Sequence, residues 1–330
     1  METILSVHDL RIQYEMQDGI VKALNGVDFE LEEGSSHGLV GETGAGKTTM
    51  AKGIMGLTPK PYGKIKSGEI LYHGKDLLKM STKELRKIRG EHISMIFQDP
   101  MTALNPVFTV GYQIDEALLY HGQAKNRREA DKKAVELLKD MGIPLPEQRV
   151  KEYPHQFSGG MSQRAMIAMA MSCRPKVLVA DEPTTALDVT IQAQIFELML
   201  ELKDNNDTAI LLITHDMGVV AELADDVAVM YMGNIVESGD ARAVLTRPSH
   251  PYTKALLDSI PVLGRGKKQK LMPIKGSTPD PYDRPKGCQF APRCPYASEE
   301  CEARMPGETL IEEGHMCRCF HDLMHRGGEH

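Results

Sequence analysis

Tryptophan is absent from this chain of 330 residues, and aromatic side chains make up only 5% of it. That scarcity argues against a stacking platform for bases or sugars. Positive charge is not in excess either: 39 Lys and Arg face 46 Asp and Glu, a net charge of −7. The cationic footprint that a duplex nucleic acid demands is therefore missing. No apolar run approaches the ~20 residues of a spanning helix; the longest, around 176–180 and 209–213, are strand-sized. The opening METILSVHDLRIQY lacks the basic start, apolar run and small-residue cleavage site of a secretory signal. A cytosolic chain is expected, one that sits on a membrane only through a partner. Cysteine is nearly missing too, with Cys173 alone in the first 287 residues. What remains is ordinary for a folded chain: 41% hydrophobic and 26% charged residues, enough to bury a sizeable core.

Strand-like and helix-like segments alternate. Short β-rich runs open the chain at Ile4–Val7, Arg11–Tyr14, Val27–Leu31 and Ser36–Val40, bounded by turns such as Asp18-Gly19 and Asn25-Gly26. A helix to about Leu57 follows, then strands at Gly68–Tyr72 and His92–Phe97. Val110–His121 and Arg127–Met141 carry helical spacing, closed by Gly142 and Pro144. Strand and helix then alternate through Val177–Ala180, Val189–Lys203, Ala209–Thr214 and Asp216–Ala224. A hairpin turn at Met232-Gly233 joins two last strands. The pattern predicts an α/β fold with a mostly parallel sheet and a helical insertion at about 100–170. Residues 261–286 read as an extended arm, with Gly264–Lys270 a solvated linker. Met161, Met166, Met169 and Met171 lie on one helical run as core filler, and Cys173 is read as core.

Two segments carry phosphate chemistry. Gly41-Glu42-Thr43-Gly44-Ala45-Gly46-Lys47-Thr48, followed by Thr49, fits G-x-x-x-x-G-K-[ST] between a predicted strand and a predicted helix. Its glycines let backbone amides curl around a phosphate, and the helix start adds its dipole. Lys47 would reach the β- and γ-phosphates, and Thr48 would ligate Mg²⁺. The buried run Val177-Leu178-Val179-Ala180 ends in Asp181-Glu182. Such a strand end places Asp181 beside the metal and points Glu182 at an attacking water.

Ser158-Gly159-Gly160-Met161-Ser162-Gln163-Arg164 resembles the signature of ATP-binding cassette (ABC) ATPases, with Phe157 where that family prefers Leu. Alone, it would be a plain Ser helix cap. Further family motifs stand in order, however: Gln98 matches the Q-loop, Asp188 the D-loop, His215 the switch histidine and Tyr14 the adenine-stacking aromatic. The resemblance implies a P-loop ABC nucleotide-binding domain over 1–245, with a RecA-like core, a β-subdomain and the helical insertion. It implies catalytic roles for Glu182, His215, Gln98 and Lys47, and ATP contacts from Tyr14, residues 41–49 and Gln98. Mg²⁺ would be held by Thr48, Gln98 and Asp181. Ser158, Gly159, Gly160 and Gln163 would complete the ATP site of a second subunit.

Narrower matches at Gln98–Pro106, His250–Leu256 and Gly287–Pro295 look like ATPase subunits of dipeptide, oligopeptide and nickel importers. They imply a second similar ATPase, two membrane permease subunits and an external solute-binding protein, with this chain at the cytoplasmic face of the membrane. Nickel, glutathione and oligosaccharides are alternative cargoes within that resemblance.

The other five cysteines, Cys288, Cys294, Cys301, Cys317 and Cys319, crowd into a C-terminal extension at 246–330. A local cluster in a cytosolic chain points to metal rather than disulfides. Spacing alone suits zinc or an iron–sulfur cluster equally. The family resemblance favours a 4Fe–4S cluster on Cys288, Cys294, Cys301 and Cys319, with Cys317 the extra thiol. Its sequence distance from Lys47 and Glu182 suggests a structural or redox-sensing role apart from hydrolysis.

Overall fold

The computed structural model describes residues 2–184, 187–260 and 274–324. Thr185 and Ala186 of the D-loop segment, the linker 264–270 and the terminal His325 and His330 lie outside the described residues. The chain forms two compact units that do not follow chain order. One comprises Met1–Leu5, Leu31–Ser36 and Tyr72–Ile213; the other comprises Ser6–Glu30, His37–Leu71 and Thr214–His330.

In the first unit, strands Ile93–Ile96, Val177–Asp181 and Ala209–Thr214 run parallel, with Ile93 opposite Val177 and Val177 opposite Ala209. Their near-continuous Val, Ile, Leu and Ala runs are buried throughout, the pattern of strands covered on both faces. Helices Val110–Tyr120, Arg127–Asp140 and Gly159–Met171 bury Ile114, Leu118, Ala130, Ala134, Leu138 and Met166. Thr109 and Asn126 cap the first two through their side-chain oxygens. Arg164 ties the third to the end of the second, donating from Nη1 to the Gly142 carbonyl at 2.9 Å.

In the second unit, the first two expected strands fuse into one, Thr3–Met16, most of which lies here beside Gly19–Glu32 and Gly63–Tyr72. A further sheet runs in the order Thr309–Glu312, His315–Cys317, Asn234–Asp240, Asp226–Tyr231, Ser36–Val40. Its last pair is parallel and the others are antiparallel. The Met232-Gly233 turn has both residues at positive φ, +44° and +76°. Two such residues suit the twist of a tight hairpin. The core of this unit gathers Val40, Val229, Tyr231, Tyr252 and Phe290, so the C-terminal extension shares its core with the strands.

Candidate nucleotide site and cysteine pocket

The strand Ser36–Val40 runs into the phosphate loop, and the helix Lys47–Ile54 leaves it. Gly41 has φ +151°, and a Cβ there would lie 2.1 Å from the Met230 carbonyl oxygen. Gly46, at φ +111°, would place one 2.7 Å from the Ala23 carbonyl oxygen. No other residue type fits either position. Lys47 is buried, 5% exposed, and its Nζ donates to the carbonyls of Gly41 (2.6 Å) and Glu42 (3.1 Å). The ammonium is thus folded back over its own loop. Tyr14 and Thr49 are brought together, their hydroxyls 3.2 Å apart. His215 is exposed in this unit, one residue before Asp216, which caps the helix Met217–Leu223.

In the other unit, Asp181 ends its strand at 1% exposure. Glu182 follows with φ +48°, a left-handed conformation that non-glycine residues adopt at some cost. Its N–H donates to the Ile213 carbonyl at 2.8 Å, which fixes the turn. Gln98 donates from Nε2 to Glu182 Oε2 at 3.0 Å. Two side chains far apart in sequence therefore meet at the carboxyl ends of parallel strands, where α/β folds place their chemistry.

Ser158 caps the helix Gly159–Met171, its Oγ accepting from the Met161 N–H at 3.3 Å. Ser158 and Gly159 are exposed, and Gly159 has open space where a Cβ would stand. Gln163 lies further along the same helix. It is fully buried and donates to the Pro183 carbonyl, so it braces the turn after Glu182. Asp188 is exposed and caps Val189–Asn206 through the Ile191 N–H at 3.1 Å.

In the second unit Cys288, Cys294, Cys301 and Cys319 line one small cavity of about 10 Å³ with Phe290, Pro306 and Phe320. Backbone N–H groups of Phe290 and Ala291 bond to Cys288, and that of His321 reaches Cys319 Sγ at 3.3 Å. Cys317 does not line the cavity; it lies in a strand opposite Glu237. Burial raises the Cys319 thiol to about 12. A further link is invisible to sequence reasoning: Arg293 forms a two-point ion pair with Glu42 of the phosphate loop, at 2.6 and 2.9 Å. Only its place between Pro292 and Cys294 marks it in the sequence, and its partner is 251 positions away.

Fold and loop together define a P-loop ATPase of the ATP-binding cassette class. Residues 24–185 match the ABC transporter family model, and residues 236–301 match the oligopeptide/dipeptide transporter C-terminal region. The dipeptide transport ATP-binding protein DppD of Bacillus subtilis is 49% identical over 330 residues, covering 100% of this chain and 97% of that one. The oligopeptide transport ATP-binding protein OppD of the same organism is 52% identical over 322 residues, covering 98% and 89%. Among solved structures, a dimeric ATP-binding cassette in a post-hydrolysis state with ADP and phosphate aligns at a TM-score of 0.66. It is 28% identical, covering 72% of this chain and 99% of that one. The chain belongs to the ABC transporter family, in the group of dipeptide and oligopeptide transport ATP-binding proteins.

Proposed function

We propose that the chain is the ATP-hydrolysing subunit of an ABC importer of dipeptides and oligopeptides. It converts ATP and water to ADP and phosphate and couples that reaction to peptide uptake. The observation that carries this reading is the phosphate loop, where Gly41 and Gly46 leave no room for a Cβ and Lys47 is folded back over the loop. It stands in a chain that aligns end to end with peptide-transport ATP-binding proteins.

Within this reading residues 1–245 form the ATP-binding domain and 246–330 its extension. Lys47 and the loop amides receive the phosphates, Tyr14 the adenine, and Thr48, Asp181 and Gln98 hold Mg²⁺. Glu182 orients and polarises the attacking water, and His215 senses the γ-phosphate. Exposed Ser158, with Gly159 and Gly160, grips the nucleotide of a second, similar ATPase subunit. Among the described residues no helix is long and apolar enough to cross a membrane. An ATPase that meets two permease subunits at the cytoplasmic face, fed by an external solute-binding protein, fits that. Lys47→Ala should abolish MgATP binding by the purified chain; binding at wild-type affinity would overturn the reading.

The four cysteines around one cavity, with amides directed at two of the sulfurs, also suit the 4Fe–4S cluster that the family resemblance implies. Among the described residues no group of three or more His, Cys, Asp or Glu is placed to hold a metal ion, so the cluster reading rests on the family resemblance and the shared cavity. A cluster there would supply folding energy to a loop poor in apolar side chains, and a redox-active centre. Chain purified without oxygen should carry about four irons. Cys319→Ser should lose them and Cys317→Ser should not; one tight zinc in place of iron would refute the cluster.

A further inference from the structure

Arg293 lies in the short turn Ala291–Arg293, directly before Cys294. Its side chain is 4% exposed, and Nη1 and Nη2 donate to Glu42 Oε2 and Oε1 at 2.6 and 2.9 Å. Nη1 also reaches the Tyr231 hydroxyl at 3.2 Å, and Nε the Lys275 carbonyl at 3.2 Å. The rings of Tyr231 and Phe290 flank the guanidinium at 5.9 and 5.8 Å. Glu42 has further partners. Thr278 donates to Oε2 at 3.2 Å, the Glu42 N–H donates to the Tyr252 hydroxyl at 2.8 Å, and Lys47 holds its carbonyl. Three of these partners, Arg293, Thr278 and Tyr252, come from the C-terminal extension.

A carboxylate is an odd choice in a loop built to receive a polyanion, because like charges close together in a protein repel strongly. A bidentate guanidinium cancels that charge and fixes the geometry at once. We propose that Arg293 is a positioning residue for the nucleotide. It neutralises and orients Glu42, so that the cysteine-lined segment 288–294 sets the affinity of the phosphate loop. This inference rests on the loop being the ATP site. It also replaces the sequence-based expectation that the cysteine segment stands apart from hydrolysis.

The test is MgATP affinity of the full-length chain by equilibrium titration, with KM and kcat in the assembled transporter. Arg293→Met should weaken MgATP binding about tenfold, with the loss falling on KM more than on kcat. Glu42→Gln combined with Arg293→Met should return affinity to within about threefold of wild type, since the uncancelled charge is gone. Arg293→Lys should fall between. Wild-type affinity in Arg293→Met, or a double variant as weak as the single, would overturn the proposal; the latter would make Arg293 a structural strut. If Arg293→Met does not fold, Glu42→Asp shortens the pair from the loop side and should weaken binding several-fold, whereas unchanged affinity there contradicts the clamp. Failure of the ATP reading looks different: Lys47→Ala would then bind MgATP as well as wild type.

Discussion

Gln98 Nε2 lies 3.0 Å from Glu182 Oε2, so the segment after strand Ile93–Ile96 holds the carboxylate at the end of strand Val177–Asp181. Glu182 sits there at φ +48°. A strained backbone and a directed amide together aim one carboxylate, an arrangement suited to orienting water.

Glu182→Gln should therefore bind MgATP normally and trap a closed dimer, while hydrolysis falls by about 100-fold or more. ATPase assays of the assembled transporter decide this. Turnover near wild type would remove Glu182 from the water-activating role.

Ser158 and Gly159 face solvent at the start of their helix. Ser158→Arg should leave MgATP binding by the isolated chain intact and abolish turnover in the assembly. If the isolated variant loses ATP binding, the segment serves its own subunit and the composite-site reading is wrong.

The run after Gln98 presents Met101, Val107 and Phe108 at 58, 70 and 42% exposure, with Phe108 stacked on Tyr112 at 4.8 Å. Exposed apolar side chains grouped in one segment mark a contact surface. Val107→Cys should cross-link to an engineered cysteine in a permease cytoplasmic loop. A transporter in which no permease position captures it would place the membrane contact elsewhere.

Two histidines of the second unit answer pH with opposite sign. His37 packs edge-on to Phe29, and burial pushes it down from 6.5 to about 4. The unfolded chain takes that proton first, so stability falls as pH drops from 6.5 towards 4, by up to about 3 kcal/mol. His315 is raised by its 2.8 Å hydrogen bond to buried Glu237. Its contribution is complete below 6.5 and is lost as pH rises through the raised value. Melting temperatures across pH should show His37→Phe flattening the acid limb and His315→Gln the alkaline one. Unaltered limbs in both variants would contradict these assignments.

Much of this was legible because the signals are local. The phosphate loop, the apolar strand before Asp181 and the Ser cap of the signature helix each sit within a few residues of what they need. The positive-φ turn at Met232-Gly233 was equally visible. The burial of Gln163 is not legible in the sequence, because motif membership says nothing of direction. Five residues on from Ser158 is about 140° round a helix, which turns the side chain inward. The hairpin Thr309–Glu312 with His315–Cys317 was missed because strands of 4 and 3 residues carry almost no periodicity. The pair Arg293 and Glu42 could not be read at all, since nothing local to either residue names the other.

In the proposed function, this chain's ATP hydrolysis drives peptide import. The most direct measurement is accumulation of a labelled dipeptide in vesicles containing the full transporter and its solute-binding protein, with ATP supplied on the side of this subunit. Uptake that requires ATP, tracks phosphate release and disappears with Glu182→Gln is the predicted result. Uptake undiminished by that substitution, or ATP hydrolysis with no peptide entering, would contradict it.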